Sequence, residues 1–183
     1  MCDKMFRFRG GDVDFSVGDK VVYPSQGVSV IESISDEVFG DSRVMCYRLR
    51  LLTTDSLVVV PVGNSTRVGL RRLSERPVIA QIMGRLQAGG GRREGDWKDR
   101  YRANLDRLKT GALDEIVDVL LCLSEVASRK TLSFRERKMF DHARQLLVLE
   151  VSEVDGRPSD EVEREVGEAL GQVSGSVVAE EPE

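Results

Sequence analysis

Pro77-Val78-Ile79-Ala80-Gln81-Ile82-Met83-Gly84-Arg85-Leu86 is the stretch at which the chain changes period. Before it, apolar residues tend to alternate with polar ones, as on half-buried strands. Within it, Val78, Ile79, Ile82, Met83 and Leu86 recur at helical spacing. No β-texture returns afterwards. The chain therefore reads as α+β in two domains, sheet first and helices second.

Working backward from Pro77, the turn at Phe15–Lys20 leads into Val21-Val22-Tyr23-Pro24, and Ser25-Gln26-Gly27 turns again. Val28–Ile34 alternates, Phe39-Gly40-Asp41-Ser42 turns, and Met45–Leu52 sets Tyr47, Leu49 and Leu51 on one face. After the turn at Thr53–Ser56 comes Leu57-Val58-Val59-Val60-Pro61. Short strands joined by tight turns predict a small β-barrel of the Tudor or SH3 type. Leu57–Val60 reads either as an exposed edge, able to capture a partner strand, or as a buried core strand.

Working forward, Ala88-Gly89-Gly90-Gly91 ends the first helix and offers a hinge. A second helix runs from Trp97 to Leu108, with Tyr101, Leu105 and Leu108 along one side and Tyr101 and Leu105 facing the core. A third, strongly apolar, spans Leu113–Ser128. Ser133 and Glu136 have the spacing of a capping box opening a fourth helix that continues to Val151. Gly156-Arg157-Pro158 breaks it, and Val162, Val166, Ala169 and Leu170 mark a weaker fifth. The expected organisation is a flexible extension at 1–14, a barrel at 15–73, a compact all-α domain of about five helices at 74–172, and a disordered acidic tail at 173–183.

The 183 residues are 40% hydrophobic and 32% charged, as in a soluble globular protein. No apolar run approaches the roughly 18 residues of a membrane span, and the N-terminus lacks a signal-like apolar core. Three scattered cysteines suggest a reducing, cytoplasmic setting rather than a disulfide framework. With one histidine, His142, inside a helical pattern, neither a zinc site nor acid–base catalysis is expected. No phosphate-binding glycine motif follows a strand. The chain reads as a non-enzyme without a cofactor.

Net charge is −4, but its distribution matters more. Residues 150–183 carry 11 acids and 2 bases, net −9, which leaves 25 bases and 20 acids, net +5, on the first 149. Two basic clusters lie in the helical half. One holds Arg92, Arg93, Lys98, Arg100, Arg102, Arg107 and Lys109; the other Arg129, Lys130, Arg135, Arg137, Lys138 and Arg144. Side by side they would form one positive face for backbone phosphates; apart, each is an ordinary solvated helix surface. Trp97, the only tryptophan, is either a core anchor or an exposed apolar wedge among cations.

The order of parts resembles the CarD/CdnL family of bacterial transcription regulators over roughly residues 15–154. The first half carries Phe15-x-Val17-Gly18-Asp19-x-Val21-Val22-Tyr23-Pro24-x-x-Gly27, then Val60-Pro61 and Val68-Gly69-Leu70-Arg71. The second carries Trp97-x-x-Arg100-Tyr101-x-x-Asn104, Leu132-Ser133-x-x-Glu136-x-x-Met139 and Ala143-Arg144. The resemblance implies a Tudor-like domain docking on the RNA polymerase β subunit, with Arg48, Val58, Val59, Val60 and Pro61 as the docking residues. It also implies a helical domain at promoter DNA near the −10 element, contacting backbone and minor groove. There Trp97, Lys98, Arg100, Arg102, Lys130, Arg137, Lys138 and Arg144 are the DNA candidates. Such a protein acts as a nucleoid-associated monomer that stabilises the open promoter complex, and its Trp97 should be solvent-accessible. A polymerase-binding module without DNA contact, and a Tudor- or KOW-like RNA binder using Phe15, Tyr23, Phe39 and Tyr47, are the alternatives.

Overall fold

The computed structural model describes residues 15–90 and 97–176; the side chains of Trp97 and of residues 172–176 lie outside that description. The elements are β1 (Lys20–Tyr23), β2 (Gly27–Phe39), β3 (Ser42–Leu51), β4 (Leu57–Pro61) and β5 (Arg71–Arg72), then α1 (Arg76–Ala88), α2 (Trp97–Thr110), α3 (Leu113–Arg129), α4 (Phe134–Asp155) and α5 (Ser159–Ser176). The change of period at Pro77 falls in the first turn of α1. A five-strand antiparallel sheet followed by five helices gives the α+β order. The disordered tail expected from residue 173 is corrected in part: α5 stays helical through Ser176, and residues 177–183, like 1–14, are outside the described residues.

The sheet order is β4-β3-β2-β1-β5, every neighbouring pair antiparallel. Among the described residues no ladder joins β4 to β5, so both are edges. β2 and β3 form the long hairpin, paired from Ser29↔Leu51 to Phe39↔Ser42 with a bulge between Ile31 and Ser33. Such a bulge bends a strand and increases its twist. One face closes over Phe15, Val21, Ile31, Tyr47, Leu49, Val60 and Leu70. There the Phe15 and Tyr47 rings meet edge-on with centroids 5.8 Å apart, an arrangement that sets the positive edge of one ring against the negative face of the other.

α3 is the axis of the helical part. Ile116 to Ser124 are all buried, so the helix is covered on every side. Asp118, which interrupts its apolar run, receives the Arg85 guanidinium of α1. α4 opens on the expected capping box: Ser133 Oγ accepts from the Glu136 N–H, while the Glu136 side chain accepts from the Ser133 N–H. It ends at Gly156, whose φ of 70° is the left-handed cap that glycine adopts without strain. α2 departs from expectation. Leu105 is 38% exposed, and the inner face carries Arg100, Asn104 and Leu108, one helical turn apart. A polar core face escapes a pattern search that follows apolar residues.

β5 and the β1–β2 turn fasten sheet to helices. The carboxylate of Glu150 in α4, 2% exposed, accepts two bonds of 2.8 Å from Arg71 and two more from Ser74, one from its N–H and one from its hydroxyl. Arg71 also donates to the Gly111 carbonyl at 2.6 Å. This is a bidentate pair with every oxygen occupied, which is what makes a buried carboxylate tolerable. His142 Nε2 donates to the Ser25 carbonyl at 3.0 Å, and Lys20 pairs with Glu153. Gly111 has a φ of 68°, a conformation that glycine adopts freely. It approaches the turn so closely that a Cβ there would lie 3.0 Å from Pro24 Cα.

Candidate functional site

The second basic cluster sits where α3 ends and α4 begins. Lys130, Arg137 and Arg144 line one open groove of about 480 Å³, with Leu132, Phe140 and Asp141 among its other walls. Lys130, Arg135, Arg137 and Lys138 are exposed, and among the described residues none has a carboxylate partner. Two members are paired: Arg129 with Glu125 at 2.9 Å and Arg144 with Glu163 at 3.1 Å. Exposed pairs of this kind hold their charges with about 0–1 kcal/mol, weakly enough to exchange for a phosphate. Phe134, the first residue of α4, is 72% exposed, and Lys138 Nζ stands 4.6 Å over its ring centroid.

In the first cluster, three of the described members are paired with carboxylates. Arg107 meets Glu115 at 3.3 Å and Asn104 at 2.9 Å, and Lys109 meets Asp106 at 2.7 Å. Lys98 is exposed; Arg102 is exposed and unpaired among the described residues. Trp97 opens α2, but its side chain, like Arg92 and Arg93, lies outside the described residues, and so does the expectation of an exposed indole.

Arg100 needs correcting. Expected as an exposed DNA contact, it is 9% exposed and donates to Glu136 Oε1 at 3.0 Å. The packing of α2 on α4 turns it inward, onto the first turn of α4. Glu136, 5% exposed, also accepts from the Ser133 hydroxyl at 2.7 Å. Burial pushes its carboxyl up, but the Ser133 hydroxyl, the Ser133 N–H and the Arg100 guanidinium together outweigh that and hold it below the usual glutamate value. One carboxylate thus closes the α4 cap and joins it to α2.

On the sheet, among the described residues β4 pairs only with β3, with Arg48 opposite Val59 and Arg50 opposite Leu57. Leu57 and Val59 point outward at 45% and 40% exposure. Val60 is 3% exposed, opposite Tyr47, so its side chain is corrected from a docking residue to a core one and only its backbone remains at the edge. Val58 and Pro61 are half-buried. Phe15 and Tyr47 are core, at 4% and 2% exposure, which removes two of the four rings an aromatic cage would need.

Two family models match the chain: "CarD-like/TRCF RID domain" over residues 15–74 and "CarD, C-terminal domain" over residues 81–167. YdeB of Bacillus subtilis (strain 168), named as a candidate transcription factor, is 30% identical over 142 residues, which is 78% of this chain and 93% of YdeB. The chain belongs to the CarD/CdnL family. It is a CarD-like transcription factor, and the motif residues now have positions. In this CarD chain the signature's Arg71 locks sheet to helices through Glu150, and its Asn104, fully buried, donates to Cys122 Sγ at 3.6 Å. Sequence reasoning missed Phe134 and underused Arg135. The capping box, which fixes residue 134 as the first of the helix, was the signal available for both.

Proposed function

We propose that this CarD-family protein binds the RNA polymerase β subunit through its sheet module, residues 15–73, and stabilises the open promoter complex through its helical module, residues 74–172. The observation that carries the reading is the group Lys130, Arg135, Arg137 and Lys138. These are exposed cations without a described carboxylate partner, in a chain whose other described arginines are mostly paired within the fold. Such a group attracts phosphates irrespective of sequence and places the helical module on a DNA backbone. Arg102 extends it along α2, with the exposed Lys98 on the same helix, toward Trp97 at the helix start as the wedge. The free edge of β4, with Arg48, Val58, Val59 and Pro61, supports strand addition by the polymerase on a Tudor-like framework.

The mechanism is energetic. A contact made only with melted DNA lowers the open state relative to the closed one, and each ~1.4 kcal/mol changes their ratio tenfold. No base-reading motif is needed, because the polymerase supplies the position and the protein supplies the bias. The net effect on a promoter depends on its slow step: initiation speeds up where opening is limiting and slows where escape is.

The test has two arms. Trp97→Ala should keep polymerase pull-down while shortening the lifetime of competitor-challenged open complexes about tenfold. Val59→Pro, which distorts the edge without touching the helices, should abolish pull-down. An unchanged lifetime removes the wedge, and retained pull-down moves the docking strand elsewhere.

A further inference from the structure

Phe134 is the most exposed large apolar side chain among the described residues, at 72%. A single exposed ring is common and means little by itself. Its surroundings are not common. It stands at the first position of α4, with Lys130 before it in the chain and Arg135, Arg137 and Lys138 after it, all exposed and none with a described carboxylate partner. Lys138, one turn on, caps one face of the ring with its ammonium 4.6 Å from the centroid, which orients the ring and leaves its other face to solvent. Among the described residues, Asp141 is the one carboxylate lining the neighbouring groove. It lies seven residues along the helix, which is roughly 10 Å at the α-helical rise.

The helix start that carries this ring is held against the start of α2. Phe134 precedes Glu136 by two residues, Trp97 precedes Arg100 by three, and Arg100 and Glu136 are joined at 3.0 Å across a buried contact. The first turns of α2 and α4 are therefore stapled together, and each begins with an aromatic residue. A ring flanked by uncompensated cations matches the chemistry of a single nucleic-acid strand, in which flat bases alternate with phosphates.

We infer that Phe134 is a second stacking contact, taking an unpaired base of a nucleic-acid strand whose phosphates are held by Lys130, Arg137 and Lys138. This rests on the DNA-binding reading above and deepens it: the helical module grips the melted strand at two helix starts rather than one. Duplex DNA cannot use the ring in this way, because its bases are already stacked. Preference for a junction over a duplex thus has a specific side chain behind it.

The test uses the full chain at low salt and two fluorescent probes, an A·T-rich duplex with an unpaired thymine arm and a fully paired duplex of equal length. Phe134→Ala should raise the dissociation constant for the forked probe about tenfold, as loss of one base–aromatic stack does, and change the paired probe less than about twofold. Phe134→Trp should retain the fork preference. As a surface change, Phe134→Ala should leave the melting temperature unaltered. If the wild type prefers the fork and Phe134→Ala binds it equally well, the stacking role is overturned while DNA binding stands. Equal weakening on both probes overturns it too, since the ring then serves general affinity. If the wild type binds neither probe, the DNA-binding reading and this inference fall together.

Discussion

Two arginine–glutamate contacts join separate elements of this molecule, and a third group of cations has no described carboxylate partner. At the junction, Arg71 and Glu150 share two bonds of 2.8 Å, and Ser74 fills the remaining acceptor capacity. At the start of α4, Arg100 and Glu136 meet at 3.0 Å beneath the capping box. A few residues away, Lys130, Arg135, Arg137 and Lys138 face solvent. Residue type is nearly the same in all three places; what differs is whether a carboxylate has been brought to meet it. A charge with a buried partner is committed to the fold, and breaking the pair leaves an uncompensated ion. A charge without one is free to meet a phosphate. The comparison separates structural cations from those available for binding, and it predicts opposite consequences for similar substitutions.

The junction should respond most. Glu150→Ala leaves Arg71 without its bidentate partner, and thermal unfolding should show a loss of about 3 kcal/mol. The double variant Arg71→Met with Glu150→Leu should recover much of it. A loss below about 1 kcal/mol would mean that the junction is not a buried pair in energetic terms. Next, Gly111→Ala forces a side chain into positive φ and against the Pro24 backbone. That strain and overpacking together should cost about 2 kcal/mol in the same unfolding measurement. The same substitution at Gly40, which has positive φ but open space, should cost about half that.

Arg100→Ala and Arg137→Gln are the sharpest contrast. The first should cost about 2 kcal/mol of stability by stranding Glu136. The second should change stability by less than about 0.5 kcal/mol and reduce the salt slope of DNA binding by about 1. If Arg100→Ala keeps its melting temperature and only loses DNA affinity, the division between the two kinds of cation collapses.

The smallest effect is on pH dependence. Glu136 is held below its ordinary carboxylate value in the folded state, so its contribution is fully present above the unfolded value of about 4.3. It is lost as pH falls through the lowered folded value. Glu136→Gln should flatten this acid limb of the stability profile while leaving the limb above about pH 5 unchanged. An unaltered acid limb would mean the carboxylate gains nothing from its three donors.

Much of this was legible in the chain itself. The switch of period at Pro77, the turns at Ser25–Gly27 and Phe39–Ser42, the capping box at Ser133 and the glycine at 156 are local signals. Each depends on backbone conformations that a few neighbouring residues decide. The CarD motifs likewise lie within short windows. The core side of β3 and the apolar wrapping of α3 followed from spacing alone, because burial of a periodic apolar face is the main source of stability for each element. What spacing could not supply was the fate of individual charges. Arg100 and Arg137 look alike in sequence, and only the packing of α2 on α4 brings Glu136 to the first and leaves the second in solvent. Leu105 and Arg100 exchanged their expected sides for the same reason: α2 meets a carboxylate and a cysteine there rather than an apolar surface. Glu150, in the most acidic stretch of the chain, became the anchor of the junction through Arg71, 79 residues earlier. The sequence by itself determined where the strands and helices lie, which faces are apolar and which family the motifs belong to. The tertiary structure decided which cations are neutralised, because electrostatic pairing depends on distance in space, and distance between remote residues exists only once the chain has folded.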